Sequence, residues 1–160
     1  MLRRSSIMTN LSYIEMGEDP HKPQVKAAVA AHVTERLFPN SFAPATADIL
    51  TRSAEHCLIT HSDGCGTKPI LSYLAWKEAG DVSWFKGLAQ DAVAMNVNDM
   101  ACVGSVGPYA LSNTISRHYH RIPGEVIAAI IEGYKETAEI LNQNGIETQL
   151  TGGETASVGD

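Results

Sequence analysis

The stretch CLITHSDGCGTKPILSYLAW, residues 57–76, changes its hydrophobic period midway. Cys57, Leu58 and Ile59 form a short apolar run suited to a buried strand. From Thr67 onward, Ile70, Leu71, Leu74 and Trp76 continue to Gly80 as a helix that is apolar on more than one face and therefore expected to be well buried. Between them lies SDGCGTK. Asp63 stands at the end of the strand, Gly64 and Gly66 allow a turn that turns backbone amides toward an anion, and Lys68 adds a cation. It is not the GxxxxGK[ST] phosphate loop, because one residue separates its glycines and Lys68 follows the threonine. On these residues alone, a phosphate cradle and a plain turn with a solvated lysine are both open.

Outward from this stretch, strands and helices alternate. Upstream, Pro23 opens a helix with Val25, Val29, Val33 and Leu37 at i+4, which Pro39 stops, and a Pro, Ala and Thr-rich loop follows. Downstream, a helix from about Trp84 to Val103 carries QDAVAMNVNDMACVG. In GPYALSNTIS, Tyr109, Leu111 and Ile115 fall on one face and Ala110, Ser112 and Thr114 on the other, which is strand periodicity. Pro123 begins a long helix with Ile127, Ile130, Ile131, Tyr134, Ala138 and Leu141 on one stripe, closed by Gly145. IETQLTGGET ends as a strand and turn. The order predicts an α/β or α+β layered fold in which helices cover a sheet.

Two further acidic groups stand on unusual ground. At about 100° per residue, Asp91 and Asn98 point nearly the same way on their helix, with Asp99 about 80° round from Asp91. Short Asp and Asn are poor helix formers, whereas a solvent-facing stripe usually carries long Lys and Glu. Glu154 follows Gly152 and Gly153, a placement that brings backbone and carboxylate close to a ligand, or simply a turn. Short carboxylates without bulky neighbours suit a hard cation such as magnesium, which usually accompanies nucleotide phosphates. Without a metal, Asp63, Asp91 and Asp99 would repel a triphosphate.

Composition bounds the rest. The chain has 160 residues, 44% of them hydrophobic and 19% charged, with 12 Lys and Arg against 18 Asp and Glu, a net charge of −6. That is one ordinary domain with room for a core. A nucleic-acid partner is not expected, since the cations are scattered. No apolar run reaches the roughly 20 residues of a membrane span, and MLRRSSIM lacks the apolar stretch of a signal peptide, so a cytoplasmic protein is expected, with residues 1–12 a disordered extension and Met8 an alternative start. Cys57, Cys65 and Cys102 are odd in number and form no CxxC pair, and they read as reduced thiols.

SDGCGTK, QDAVAMNVNDMACVG and LTGGETA occur in the order and at about the spacing of the N-terminal domain of phosphoribosylformylglycinamidine cyclo-ligases, also called aminoimidazole ribonucleotide synthetases. The chain resembles this family from about Tyr13 to Asp160, and WKEAGDVSWFKGLAQDA is similar to a divergent bacterial branch. The wider superfamily includes hydrogen-maturation dehydratases, thiamine monophosphate kinase, selenophosphate synthetase and formylglycinamidine ribonucleotide amidotransferase. The resemblance implies an ATP- and magnesium-binding domain over residues 13–160, whose strands pair with a second subunit to form a barrel, making a homodimer. It implies ATP-dependent closure of formylglycinamidine ribonucleotide to aminoimidazole ribonucleotide. Carried over by position, Asp63, Asp91, Asp99 and Glu154 take the metal, and Asp63 and Lys68 are catalytic. Gly64, Gly66, Thr67, Lys68, Asn96, Asn98, Gly152 and Gly153 take the nucleotide.

The sequence departs from that family in places. Cys65 stands where valine or alanine is common, and reads as a small apolar substitute. His61 reads as a satisfied structural histidine in preference to a base. SYIEMGEDPHKP has a single glycine where many relatives have a glycine-rich lid. The family's second domain is not encoded in these residues, so the isolated chain is expected to be inactive. The competing expectations are a non-catalytic assembly module of the same fold and another ATP-using relative, such as a thiamine monophosphate kinase. The intact acidic residues favour the cyclo-ligase.

Overall fold

Residues 15, 21–32 and 35–159 are described by a computed structural model of the chain. They fall in two units, residues 1–35 and residues 36–160. The first contains helix α1, Pro23–Ala30, which opens on its proline and buries no residue. It stops short of the expected end at Leu37, so the i+4 valines Val25 and Val29 face solvent. Val33 and the expectations for residues 1–12 lie outside the described residues.

The second unit runs β1 (Ala45–Ala47), β2 (Cys57–Ile59), α2 (Lys68–Ala79), α3 (Trp84–Ala101), β3 (Tyr109–Arg117), α4 (Gly124–Gln143) and β4 (Thr148–Ser157). Strand β1, in what the sequence reads as a loop, pairs antiparallel with β2, Thr46 opposite Leu58. β2 falls on the expected residues but is not buried; Cys57 is exposed. Strands β3 and β4 are parallel. Such a pair needs a long crossover, which α4 supplies. Along β3 exposure alternates as its periodicity predicts, with Ile115 buried. LTGGET is not a strand followed by a turn. Gly152, Gly153 and Glu154 lie inside β4, and the ladder accommodates Thr151 by a shift between Leu111 and Ser112.

Phe85 and Leu88 of α3 and Val126 and Ala129 of α4 form the core, with Cys65, Tyr73, Trp76, Val82, Ile122 and Ile130 packed around them. The Trp76 ring meets Phe85 edge-on at 6.0 Å. The buried residues of α4 are Val126, Ala129, Gly133, Thr137 and Ala138; Ala138 belongs to the expected stripe, whose Ile127, Ile130, Tyr134 and Leu141 are half-buried and whose Ile131 is exposed, so the buried face is offset toward the small residues. Pro123 is the N-cap of α4, not its first helical residue. The offset follows from Gly133, where a Cβ would lie 2.6 Å from the Lys86 carbonyl oxygen and 2.9 Å from Ala89 Cβ. Small residues let the two helices approach closely, and a stripe of isoleucines would hold them apart. At the edge of the contact Lys86 Nζ bridges Glu132 at 2.9 Å and Glu136 at 2.8 Å. Helix α2 corrects another expectation: Ser72 is its one buried residue, and Ile70, Leu71 and Leu74 are exposed. Its apolar surface exceeds what α3 covers.

A Gly133→Ala substitution gains about 1 kcal/mol of helix propensity and introduces an overpacking cost of about 1–3 kcal/mol. The opposing atoms are backbone and cannot move cheaply. We expect a net loss of stability of about 0–2 kcal/mol in urea unfolding, the difference of those two magnitudes.

Candidate functional site

The loop between β2 and α2 is shaped by one apolar and one polar attachment. Cys65, between the two glycines, packs against the core. Burial pushes its thiol above the ordinary value of 9.0, which removes nucleophilic character and agrees with its reading as a small apolar residue. The polar attachment is Asn96 on α3. Its Oδ1 accepts the Asp63 N–H at 2.9 Å, and its Nδ2 donates to the Asp63 carbonyl at 3.0 Å and to the Ala92 carbonyl at 2.9 Å. With Cys65 turned in and the Asp63 peptide held, the rest of the loop faces outward. Gly66 there has φ +59°, a conformation side chains rarely adopt.

Asp63, Gly64, Gly66, Thr67 and Lys68 line one cavity of about 360 Å³ with Cys65 and Met95. Five expected site residues are thus brought together. The cavity ends at Lys68, where α2 begins, its N-cap being Thr67. Lys68 Nζ pairs with Asp91 Oδ1 at 2.8 Å, both side chains being about half exposed. Asp99 Oδ2 lies 3.0 Å from His61 Nε2, and His61 Nδ1 lies 3.2 Å from Asn96 Oδ1. His61 is therefore the satisfied histidine the sequence implies.

Other expected site residues stand elsewhere. Asn98 is exposed on α3, and Asn96 serves the loop backbone. Gly152, Gly153 and Glu154 do not line the cavity. A Cβ on Gly153 would strike the Asn113 carbonyl oxygen, so strand contact by itself accounts for that glycine. Met95 and the hydrogen-bonding role of Asn96 escape sequence reasoning. An Asn within an apolar helix is the only signal for the latter, and its partner is 33 residues away.

Among the described residues, no three His, Cys, Asp or Glu side chains are grouped so as to hold a metal ion. The four expected carboxylates are not a resident cage within one chain. Asp63 on the loop and Asp91 beside Lys68 are hard oxygen donors of the kind that fits a magnesium ion keeping water and phosphate ligands.

Residues 44–160 match the family described as AIR synthase related protein, N-terminal domain. The chain belongs to this family. It is similar to the phosphoribosylformylglycinamidine cyclo-ligase of Saccharolobus solfataricus, at 35% identity over 102 residues, 62% of this chain and 26% of the relative. It is also similar to that of Methanocaldococcus jannaschii, at 29% over 155 residues, 94% of this chain and 39% of the relative. This AIR synthase related domain thus spans well under half the length of those relatives. No helix among its described residues is long and apolar enough to cross a membrane.

Cys57 and Cys102 are exposed, whereas Cys65 is partly buried. Iodoacetamide labelling read by peptide mass should modify Cys57 and Cys102 first, and the rate at Cys65 should still climb above pH 9.0, because only its thiolate reacts. Early labelling of Cys65 at neutral pH would contradict its placement.

Proposed function

We propose that this chain is the nucleotide-binding half of a phosphoribosylformylglycinamidine cyclo-ligase, with the Asp63–Lys68 loop receiving the phosphates of ATP. One observation carries the reading: the loop is pinned from behind by Cys65 and Asn96, and its outward face runs into the N-terminus of α2. Amides and the macrodipole at such a terminus favour an anion. Lys68 is the adjacent cation. Its half-exposed pair with Asp91 contributes about 0–1 kcal/mol, so exchanging that carboxylate for a phosphate oxygen costs little. Asp91 then joins Asp63, Asp99 and Glu154 as oxygen donors toward magnesium, which when bound neutralises charge on the triphosphate. Asn98, Gly152 and Gly153 belong to the nucleotide side in this reading.

The names of the two relatives support the reaction class. In it, the γ-phosphoryl group of ATP passes to the formyl amide oxygen of formylglycinamidine ribonucleotide and ADP is released. The amidine nitrogen attacks the same carbon, and phosphate leaves with that oxygen as the imidazole ring closes. Asp63 and Lys68 orient the triphosphate, and catalysis is mostly positioning and charge stabilisation. The substrate's remaining contacts belong to the part of the enzyme beyond these residues, so the chain by itself binds ATP without turnover.

Calorimetry of ATP with and without magnesium tests the reading. Binding should depend on the metal and be lost in Asp63→Asn, with unfolding unchanged. Equal heats in both conditions would favour an assembly module that performs no chemistry.

We further propose that the β3–β4 pair is completed by a second copy of the chain. Parallel strands are normally covered on both faces, yet most of β4 is exposed, and uncovered strands invite pairing between identical chains. Light scattering at micromolar concentration should report two chains, and a monomer would remove the subunit barrel.

A further inference from the structure

We propose that Asn96 is the positioning residue of this site, setting through its carboxamide the placement of two carboxylates carried by different elements, Asp63 on the loop and Asp99 on α3. The inference rests on the magnesium-nucleotide reading given above. A carboxamide has two donor hydrogens and two acceptor lone pairs. All four are used here: the hydrogens on the carbonyls of Asp63 and Ala92, the lone pairs on the Asp63 N–H and on His61 Nδ1. Because Oδ1 can only accept, Nδ1 of His61 carries the hydrogen. Nε2 then lies 3.0 Å from Asp99 Oδ2, and it donates to that carboxylate when the ring is doubly protonated. One rigid, planar group therefore holds the two peptide units that flank the Asp63 Cα, one by its N–H and one by its C=O, and reaches Asp99 through one ring. Aspartate at this position loses both donations and sets oxygens against two carbonyls. Glutamine adds a methylene and displaces the whole array.

Helix α4 contains an internal control. Asn142 donates to the Ala138 carbonyl at 2.9 Å and the Thr148 carbonyl at 2.8 Å and accepts the Thr148 N–H at 2.9 Å, the same hold on the N–H and C=O of one residue. It holds β4 to α4. No histidine or carboxylate takes part in these bonds, so it has the structural half of the device alone.

The test uses the 160-residue chain as wild type, Asn96→Ala, Asn96→Asp and Asn142→Ala. Two quantities are read: amide hydrogen exchange at Asp63 against Val93 in α3, and calorimetric affinity for ATP with and without magnesium. In Asn96→Ala, exchange at Asp63 should quicken while Val93 stays protected. The magnesium-dependent gain in affinity should fall about tenfold or more, the equivalent of one or two net hydrogen bonds, a larger fall than in metal-free affinity. Asn142→Ala should lower the unfolding midpoint and leave the magnesium-dependent gain intact. Asn96→Asp keeps an acceptor for the Asp63 N–H and loses both donations, so it should lower the magnesium-dependent gain as Asn96→Ala does with a smaller rise in Asp63 exchange, and it stands in for the alanine variant should that not fold. Unchanged exchange at Asp63, or an equal fall in affinity with and without magnesium, overturns the proposal. A wild-type chain without any magnesium-dependent gain defeats the nucleotide reading instead; the grip of Asn96 on Asp63 is then judged by exchange alone, faster exchange supporting it and unchanged exchange overturning it.

Discussion

The hydrogen bonds between Asn96 and the Asp63 peptide join a loop that has little apolar surface to the helix that carries the core. The β2–α2 connection is made of glycines and short polar residues, and Cys65 is its sole member packed on that core. One small thiol is a weak anchor for a loop that must present a defined outer face. Each net hydrogen bond is worth about 0.5–1.5 kcal/mol. Bonds to both the N–H and the C=O of Asp63 restrain the two peptide units that flank its Cα, and so the direction in which the chain enters Gly64.

Beneath the loop the helices meet at unusually short range. Gly133 lets the backbone of α4 approach Lys86 and Ala89, and Lys86 then bridges two glutamates one turn apart on α4. Those hydrogen bonds hold the Lys86 ammonium above its ordinary value of 10.5, Glu136 contributing most. The close crossing also brings Phe85 and Val126 together, which makes the floor on which Cys65 and Trp76 rest. Helix position, loop position and cavity are thus consecutive consequences of one missing side chain and one carboxamide.

Charge in the site is arranged in pairs. Lys68 Nζ lies 2.8 Å from Asp91, and His61 Nε2 lies 3.0 Å from Asp99, so each carboxylate has a nitrogen partner. Within a single chain this avoids the repulsion that unpartnered aspartates would suffer at the edge of a low-dielectric helix pair. The apolar surplus lies elsewhere, on Ile70, Leu71 and Leu74 of α2. Contiguous exposed apolar surface usually marks contact with further protein, and the domain spans less than half of its relatives.

The alternation of strands and helices, the SDGCGTK loop, the long helices and the family were legible in the residues, because period and glycine placement are local properties. The inertness of Cys65 and the structural part of His61 were legible as well. Four things were not. The end of α1 and the exposure of α2 depend on what packs against an apolar stripe, and periodicity cannot report an absent neighbour. The buried face of α4 is chosen by the Gly133 crossing, where close backbone contact outweighs the larger isoleucines. Glu154 and its glycines belong to a strand because β3 pairs with them, against the local preference of two glycines for a turn. The place of Asn96, finally, was decided by tertiary structure: its partners lie 33 and 35 residues away, and only folding brings a helix interior within hydrogen-bond distance of a loop peptide.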